Sequence, residues 1–202
     1  MNLPFMKHRI SLLFWLGLFS AFIVTRLCHC DLLWSDEDYH IAAAIQTLHS
    51  KIPYQDFFYD KPVLNLLFYF LIDGTTGCVL RIAGALYCLI LCLFTFHFTS
   101  RIWNYREGYL AASLLAFFLI FYFPGANIPL QPDTLMILPH LIAVYFAWFR
   151  RPLAAGITAG LAFLFNAKGL FVLAACVLFC ARGLPLMLLG FSLPNIFFLG
   201  WL

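Results

Sequence analysis

Leu80-Arg81-Ile82-Ala83-Gly84-Ala85-Leu86-Tyr87-Cys88-Leu89-Ile90-Leu91-Cys92-Leu93-Phe94-Thr95-Phe96-His97-Phe98-Thr99 carries a single Asp, Glu, Lys or Arg, at Arg81. As a helix rising about 1.5 Å per residue, such a run covers roughly 30 Å, the thickness of a bilayer's hydrocarbon core. Its apolar residues are continuous rather than alternating, which points to a helix and not to a barrel strand. Similar runs fill most of the chain. Its 202 residues are 64% hydrophobic, 19% aromatic and 10% charged, where an ordinary globular domain is about 45–50% apolar and about 25% charged. A soluble domain of this size has no way to hide that much apolar surface. A secreted disulfide framework, a disordered chain and a nucleic-acid module are excluded with it. The reading is an all-α, polytopic membrane helix bundle, one domain over residues 1–202.

Working outward, spans are expected at 10–27, 80–99, 108–123, 134–149, 152–167, 168–181 and 183–201, about seven in all. Lys7, His8 and Arg9 precede the first run and no small-residue cleavage site follows it, so it reads as an uncleaved signal anchor. The strongly polar stretch begins at residue 28, and the first outer loop is placed at 28–73. Within it Ser35 is positioned to cap a helix over 36–50, with Ile41, Ala44, Ile45 and Leu48 on one face. That helix is too short and polar to span, and reads as interfacial. Pro62 to Ile72 is apolar but half the length a span needs, and Asp73-Gly74 stops it. Of the seven cysteines, Cys28 and Cys30 flank His29 near an aqueous face. Without a second Cys/His pair at ligand spacing, packing at a membrane end is the better reading than a metal site.

Charge sets the orientation. If 62–72 does not cross, Lys7, Arg9, Arg101, Arg106, Arg150, Arg151 and Arg182 share one side, in short connections and the terminus, against Arg26, Lys51, Lys61, Arg81 and Lys168. The excess of cations places the N-terminus in the cytoplasm. In a bacterium the membrane is the inner one. The acids sort too: Asp31, Asp36, Glu37, Asp38, Asp56, Asp60, Asp73 and Asp133 fall outside and only Glu107 inside. An outer face gathering nearly all the acids, plus several cations, looks like a site.

The candidate chemistry lies in Trp34-Ser35-Asp36-Glu37-Asp38-Tyr39, in Tyr54-Gln55-Asp56-Phe57-Phe58-Tyr59-Asp60-Lys61-Pro62, at Asp133 in a second outer loop, and at Lys168. Acids at a helix start also simply suit its dipole, and the loop aromatics also suit an interfacial belt. A lysine between two apolar runs costs about 2.5–3.5 kcal/mol to insert and marks a functional position.

Asp36-Glu37, Tyr39, Pro53-Tyr54-Gln55-Asp56-Phe57-Phe58 and Lys61-Pro62 together resemble the first outer loop of the GT-C glycosyltransferases. The closer likeness is to the family 39 branch, with its protein O-mannosyltransferases and the aminoarabinose transferase of lipid A. Downstream, Arg81 opens a span, Asp133 sits in the second outer loop, and Gly160-Leu161-Ala162-Phe163-Leu164-Phe165-Asn166-Ala167-Lys168-Gly169 is similar to that family's Gly-rich segment ending in lysine. The likeness covers residues 10–185. It departs from the family at Pro62-Val63, where a second proline is common, and in length: members carry more spans and often a soluble outer domain, so the chain resembles the N-terminal part of such an enzyme.

The resemblance implies a polyprenyl-phosphate sugar donor, an inverting transfer on the outer face, and a lipid, protein or glycan acceptor. Asp36 is expected as general base, Glu37 as the group that orients the acceptor, and Asp133 as a further acid of the catalytic set. Lys61, Arg81 and Lys168 are expected at the donor phosphate, with Tyr39, Tyr54, Asp56 and Asp60 at the substrate. Cations in this role make a metal unnecessary, while a divalent ion held by Asp36, Asp133 and Asp60 stays open. Two other classes compete: a transporter or lipid flippase, which predicts inverted repeats and acids buried in mid-span, and a non-catalytic scaffold, which leaves the clustered acids unexplained.

Overall fold

The computed structural model describes residues 3–122, 125 and 128–199, with side chains from 11 to 198 among them. The described residues are helical apart from turns and one isolated bridge between Pro53 and Phe57. The chain divides into two compact units, one of Met1–Leu33 and Thr76–Ile128, the other of Trp34–Thr75 and Pro129–Leu202.

The first unit holds α1 (Leu3–Leu27), α4 (Cys78–Ile102) and α5 (Tyr105–Phe121), with α4 packed against both others. Trp15, Phe96 and Tyr109 gather where the three helices meet, and the Tyr109 hydroxyl donates to Ser11 Oγ at 2.8 Å. Asn104 fixes the start of α5, its Oδ1 accepting from the amides of Arg106 at 2.8 Å and Glu107 at 3.3 Å. The helix therefore begins three residues before the expected 108, because an N-cap side chain outweighs the charges that follow it.

The second unit begins with α2 (Ser35–Leu48) and α3 (Val63–Leu71). It continues with α6 (Pro132–Leu135), α7 (Ile137–Trp148), α8 (Pro152–Phe165), α9 (Gly169–Cys180) and α10 (Leu184–Leu199). Its core is made of small side chains: Ala143, Ala147, Ala155, Ala159, Ala162 and Cys176 are all fully buried. Small residues let helix backbones close on each other where the apolar surroundings give no other drive to associate. Gly156 and Gly160, one turn apart, form the face of α8 on which α10 lies. A Cβ on Gly160 would stand 2.6 Å from the Phe191 carbonyl oxygen. Gly183 meets Pro152 at the start of α8, and Gly169 meets Phe163 near its end. So α9 runs back along α8, and the chain reverses at the 3₁₀ turn Ala181–Gly183 before α10.

Among the described residues, two helical stretches are long and apolar enough to cross a membrane, Cys78–Ile102 with 25 residues and Gly169–Phe198 with 30, the latter passing through the turn at Ala181–Gly183. Helix length supports these two stretches and does not by itself support the seven spans expected from hydropathy. α5, α7 and α8 have 17, 12 and 14 residues. α5 starts only after Asn104, α7 ends at Trp148 just before Arg150-Arg151, and α8 ends at Asn166, polar positions that a hydropathy window averages away. The ends of the expected spans at 123 and at 200–201 lie outside the described residues, as do the side chains of Lys7, His8 and Arg9. α3 has nine residues, which reach only about 14 Å.

α2 differs in two details from its sequence reading. Ser35 is its first residue rather than its cap; Trp34 precedes it and caps nothing with its side chain. Its buried face is Glu37, His40, Ile41 and Ala44, while Ile45 and Leu48 are exposed. The 3–4-residue spacing holds, but the stripe is rotated, because Glu37 and His40 find partners inside the unit.

Candidate functional site

The acidic segment forms the first turn of α2, where Asp36, Glu37 and Asp38 face the helix's positive end. The two leading carboxylates part ways. Asp36 is exposed, whereas Glu37 is 0% exposed and its Oε1 accepts the Leu130 amide at 3.2 Å. That bond ties α2 to the strip that leads into α6. The Tyr69 hydroxyl donates to the Leu130 carbonyl at 3.0 Å, so both backbone groups of Leu130 are held. Asp133 follows three residues later, in the first turn of α6, with Pro132 at the helix's first position.

Asp133 meets Lys168. The Lys168 ammonium donates to Oδ1 at 2.9 Å and to Oδ2 at 2.8 Å, and Asn166 Nδ2 donates to the same Oδ1 at 2.6 Å. Asn166 Oδ1 in turn accepts the Lys168 amide at 3.0 Å. Asn166 thus ends α8, shapes the turn and braces the carboxylate. The ion pair lies at the surface of the unit, with side chains 60% and 48% exposed.

The loop between α2 and α3 is built around tyrosines. Tyr39 stacks on Tyr59 with ring centroids 5.4 Å apart and planes 9° from parallel. Its hydroxyl accepts the Asp60 amide at 3.0 Å. Asp60 pairs with Lys61, Oδ2 to Nζ at 2.8 Å. The lysine's hydrogen bond holds the Asp60 carboxyl below its ordinary range, and Asp60 holds the lysine above its own. The Asp36 charge also acts on Lys61 and on His40. Asp56 serves its own turn: Oδ2 accepts the Ile52 amide at 2.7 Å. Tyr54 adopts a left-handed backbone, φ 65°, unusual for a bulky side chain. Its hydroxyl donates to the Lys61 carbonyl at 2.5 Å, and burial pushes its phenol up to about 12. Strain of this kind collects where a loop is held in a working shape.

Beneath the loop lies a polar chain that the sequence reading did not single out. Asn65 Nδ2 donates to the Tyr59 hydroxyl at 3.3 Å, and that hydroxyl lies 2.9 Å from His40 Nδ1. His40 also stacks on Tyr69, centroids 5.7 Å apart. All three members are buried, and burial drives the His40 imidazole down to about 4. The neutral imidazole shares one hydrogen bond with the Tyr59 hydroxyl, its direction set by the tautomer. The available signal was position: His40 lies three residues after Glu37 and one before Ile41, on the buried stripe of α2.

Beside the loop is a mainly apolar cleft of about 660 Å³, bordered by Tyr54, Pro62, Phe163, Leu164, Asn195 and Phe198.

Arg81 belongs to the first unit. It is 1% exposed, and its Nε and Nη2 donate to the carbonyls of His29 at 3.1 Å and Leu32 at 2.7 Å. Arg26, equally buried, donates to the Ile128 carbonyl at 2.5 Å and to Cys88 Sγ at 2.9 Å. Gly84 leaves the room: a Cβ there would stand 2.8 Å from Arg26 Nη1. Among the described residues, no three His, Cys, Asp or Glu side chains come together as a metal-binding group. Of the three carboxylates weighed for a divalent ion, Asp133 is occupied by Lys168 and Asn166, and Asp60 by Lys61. Compared with known proteins, the chain matches no family model, no curated protein and no solved structure.

Proposed function

We propose that the chain is a multi-pass membrane glycosyltransferase of GT-C type, with about seven spans, its N-terminus in the cytoplasm and its site on the outer face. It moves a sugar from a polyprenyl-phosphate donor to an acceptor hydroxyl. The observation that carries this reading is the placement of the α2 acids, the Asp60–Lys61 pair and the Asp133–Lys168 pair within one compact unit, joined through Leu130 and the tyrosine loop. These are the segments on which the sequence resemblance rests, and they are distant in the chain.

The roles follow from exposure and partners. Asp36 is exposed and takes the acceptor's hydroxyl proton as the oxygen attacks the anomeric carbon. The bond from that carbon to the phosphate oxygen breaks on the opposite face, its electron pair leaves with the lipid phosphate, and the configuration inverts. Glu37 holds the second outer segment in place through Leu130 rather than touching the acceptor. Lys61 and Lys168 receive the phosphate, exchanging their carboxylate partners for it; ammonium groups act here as point charges. Asp133 keeps Lys168 aimed until then. Tyr39 and Tyr54 shape the loop around the sugar, and Asp56 and Asp60 act through the loop's form. The apolar cleft beside Tyr54 suits the donor's isoprenoid chain. Arg81, with its donors on two carbonyls, supports the first unit.

The test is transfer by the purified full chain in vesicles, against a panel of polyprenyl-phosphate sugars. Asp36→Asn is expected to lower turnover by about 10²–10⁴-fold with donor affinity little changed. Lys61→Ala and Lys168→Ala weaken donor binding as well as rate, since the phosphate is charged in ground and transition states alike. Normal turnover in Asp36→Asn overturns the assignment of the base. Absence of both donor binding and transfer across the panel overturns the function.

A further inference from the structure

Cys30 and Cys78 are 48 residues apart in the chain, yet their sulfurs lie 2.7 Å from one another. Three further features hold the two segments together. Arg81 donates to the carbonyls of His29 and Leu32, on either side of Cys30. Arg81 and Cys78, three residues apart, share one face of the first turn of α4. Gly77, with the left-handed φ of 67° that favours glycine, caps that turn beside the segment, where a Cβ would be in ordinary contact with the Cys30 carbonyl oxygen at 3.8 Å. Cys78 is exposed and Cys30 partly so, whereas Cys88, Cys92, Cys176 and Cys180 are buried. His29 Nδ1–H donates to the Thr25 carbonyl at 2.8 Å, and among the described residues no third His, Cys, Asp or Glu side chain joins the pair as a metal-binding group.

We infer that Cys30 and Cys78 form a redox-sensitive disulfide that clips the end of α1 to the start of α4. A thiolate of one attacks a disulfide of small-molecule or protein origin, and the other then displaces the mixed disulfide. The new Sγ–Sγ bond forms as the co-reactant's S–S bond is reduced to two thiols, which take the two electrons and two protons. Hydrogen bonding to Cys78 pushes the Cys30 thiol up to about 11, and the Arg81 charge pulls against that rise. Cys78, the more exposed of the two, is the first nucleophile and Cys30 the resolving one. An outer-face position exposes the pair to an oxidising compartment in a bacterium or in the secretory pathway. The clip closes a ring of chain, residues 30–78, that contains all of α2 and α3. It rests on the proposed topology for its oxidising surroundings and on nothing in the transferase chemistry.

The experiment uses the full chain in detergent, treated with oxidised or reduced glutathione, denatured, and tagged with a maleimide. Seven cysteines react after reduction. After oxidation five are expected to react, the seven less the pair, and digestion is expected to release a peptide linking Cys30 to Cys78. Cys78→Ser should keep all its remaining thiols reactive under the same treatment. Seven reactive thiols after oxidation overturn the inference, as do two glutathione adducts in place of the linked peptide. It is equally overturned if Cys78→Ser still loses two thiols, which would point to Cys28, or if the linkage runs between chains on a non-reducing gel. The linked peptide is read on the wild type, so the result does not depend on the variant folding.

Discussion

His40 shows how a single buried side chain couples the loop to pH. Its imidazole titrates at about 4 in the folded chain, against 6.5 for the free group, because burial penalises the charged form. Between those values the unfolded chain binds more protons than the folded one, so stability rises with pH across the window. The contribution is complete above about 6.5 and is lost as pH falls toward 4. The thermal midpoint is therefore expected to drop on acidification from about pH 7 to about pH 4. His40→Asn keeps a hydrogen-bond partner for Tyr59 without a titrating group, and should flatten that slope. An unchanged slope would mean that other groups set it. Tyr59→Phe makes a separate prediction. It strips the hydroxyl from between Asn65 and His40, leaves buried polar atoms unpaired, and should cost about 1–3 kcal/mol at neutral pH. None of these residues was legible as a pair, because the contacts join a helix to a loop that follows it by many residues. Asp56 was legible only in part. Its type and place mark a functional loop, but the nearer explanation, a carboxylate accepting an amide four residues back, depends on the turn that actually forms.

At the scale of the helix, the Gly156–Gly160 face of α8 is the strongest prediction. Where neighbouring helices have no water to escape, close backbone approach is what holds them, and only residues without bulk permit it. Gly160→Leu is expected to separate α10 from α8. The readout is a lower midpoint of thermal unfolding in detergent and loss of the monodisperse peak on size exclusion. At Gly17 an added methyl would meet nothing within 4 Å, so alanine there should bring no such loss. The helices themselves were readable from hydropathy, and each expected apolar run does contain one. Their ends were less so. Asn104 starts α5 early, and Trp34 precedes α2 where Ser35 was expected to cap it. Both are decisions made by backbone hydrogen bonds over one or two residues, which a window of apolar character averages out. The candidate residues were legible as types, since acids at a helix start and a lysine between apolar runs are conspicuous against so apolar a background. Their pairings, Asp60 with Lys61 and Asp133 with Lys168, were not, because the second joins segments 35 residues apart.

For the whole chain the open physical question is which side of the membrane each connection occupies, and two features make it answerable. The first is the cation count, which favours a cytoplasmic N-terminus only if residues 62–72 turn back. The second is the length of α3: nine residues cover about 14 Å, where the hydrocarbon core is about 30 Å thick. If α3 crossed, the connection at 103–104 and the pair Arg150-Arg151 would move outside, against the rule that cations in short loops stay in. Labelling decides between the two, in a cysteine-free background and intact cells. Gln55 and Tyr105 are the positions to use. Both are exposed, and unlike Asp56 and Asn104 neither side chain closes a turn or caps a helix. Gln55→Cys is expected to react with a membrane-impermeant maleimide from outside, and Tyr105→Cys only after permeabilisation. The same side for both positions would mean that an odd number of crossings between residues 55 and 105 is wrong. The reverse pattern would place the N-terminus outside, put the α2 acids in the cytoplasm, and remove a polyprenyl-phosphate donor on the outer face from consideration.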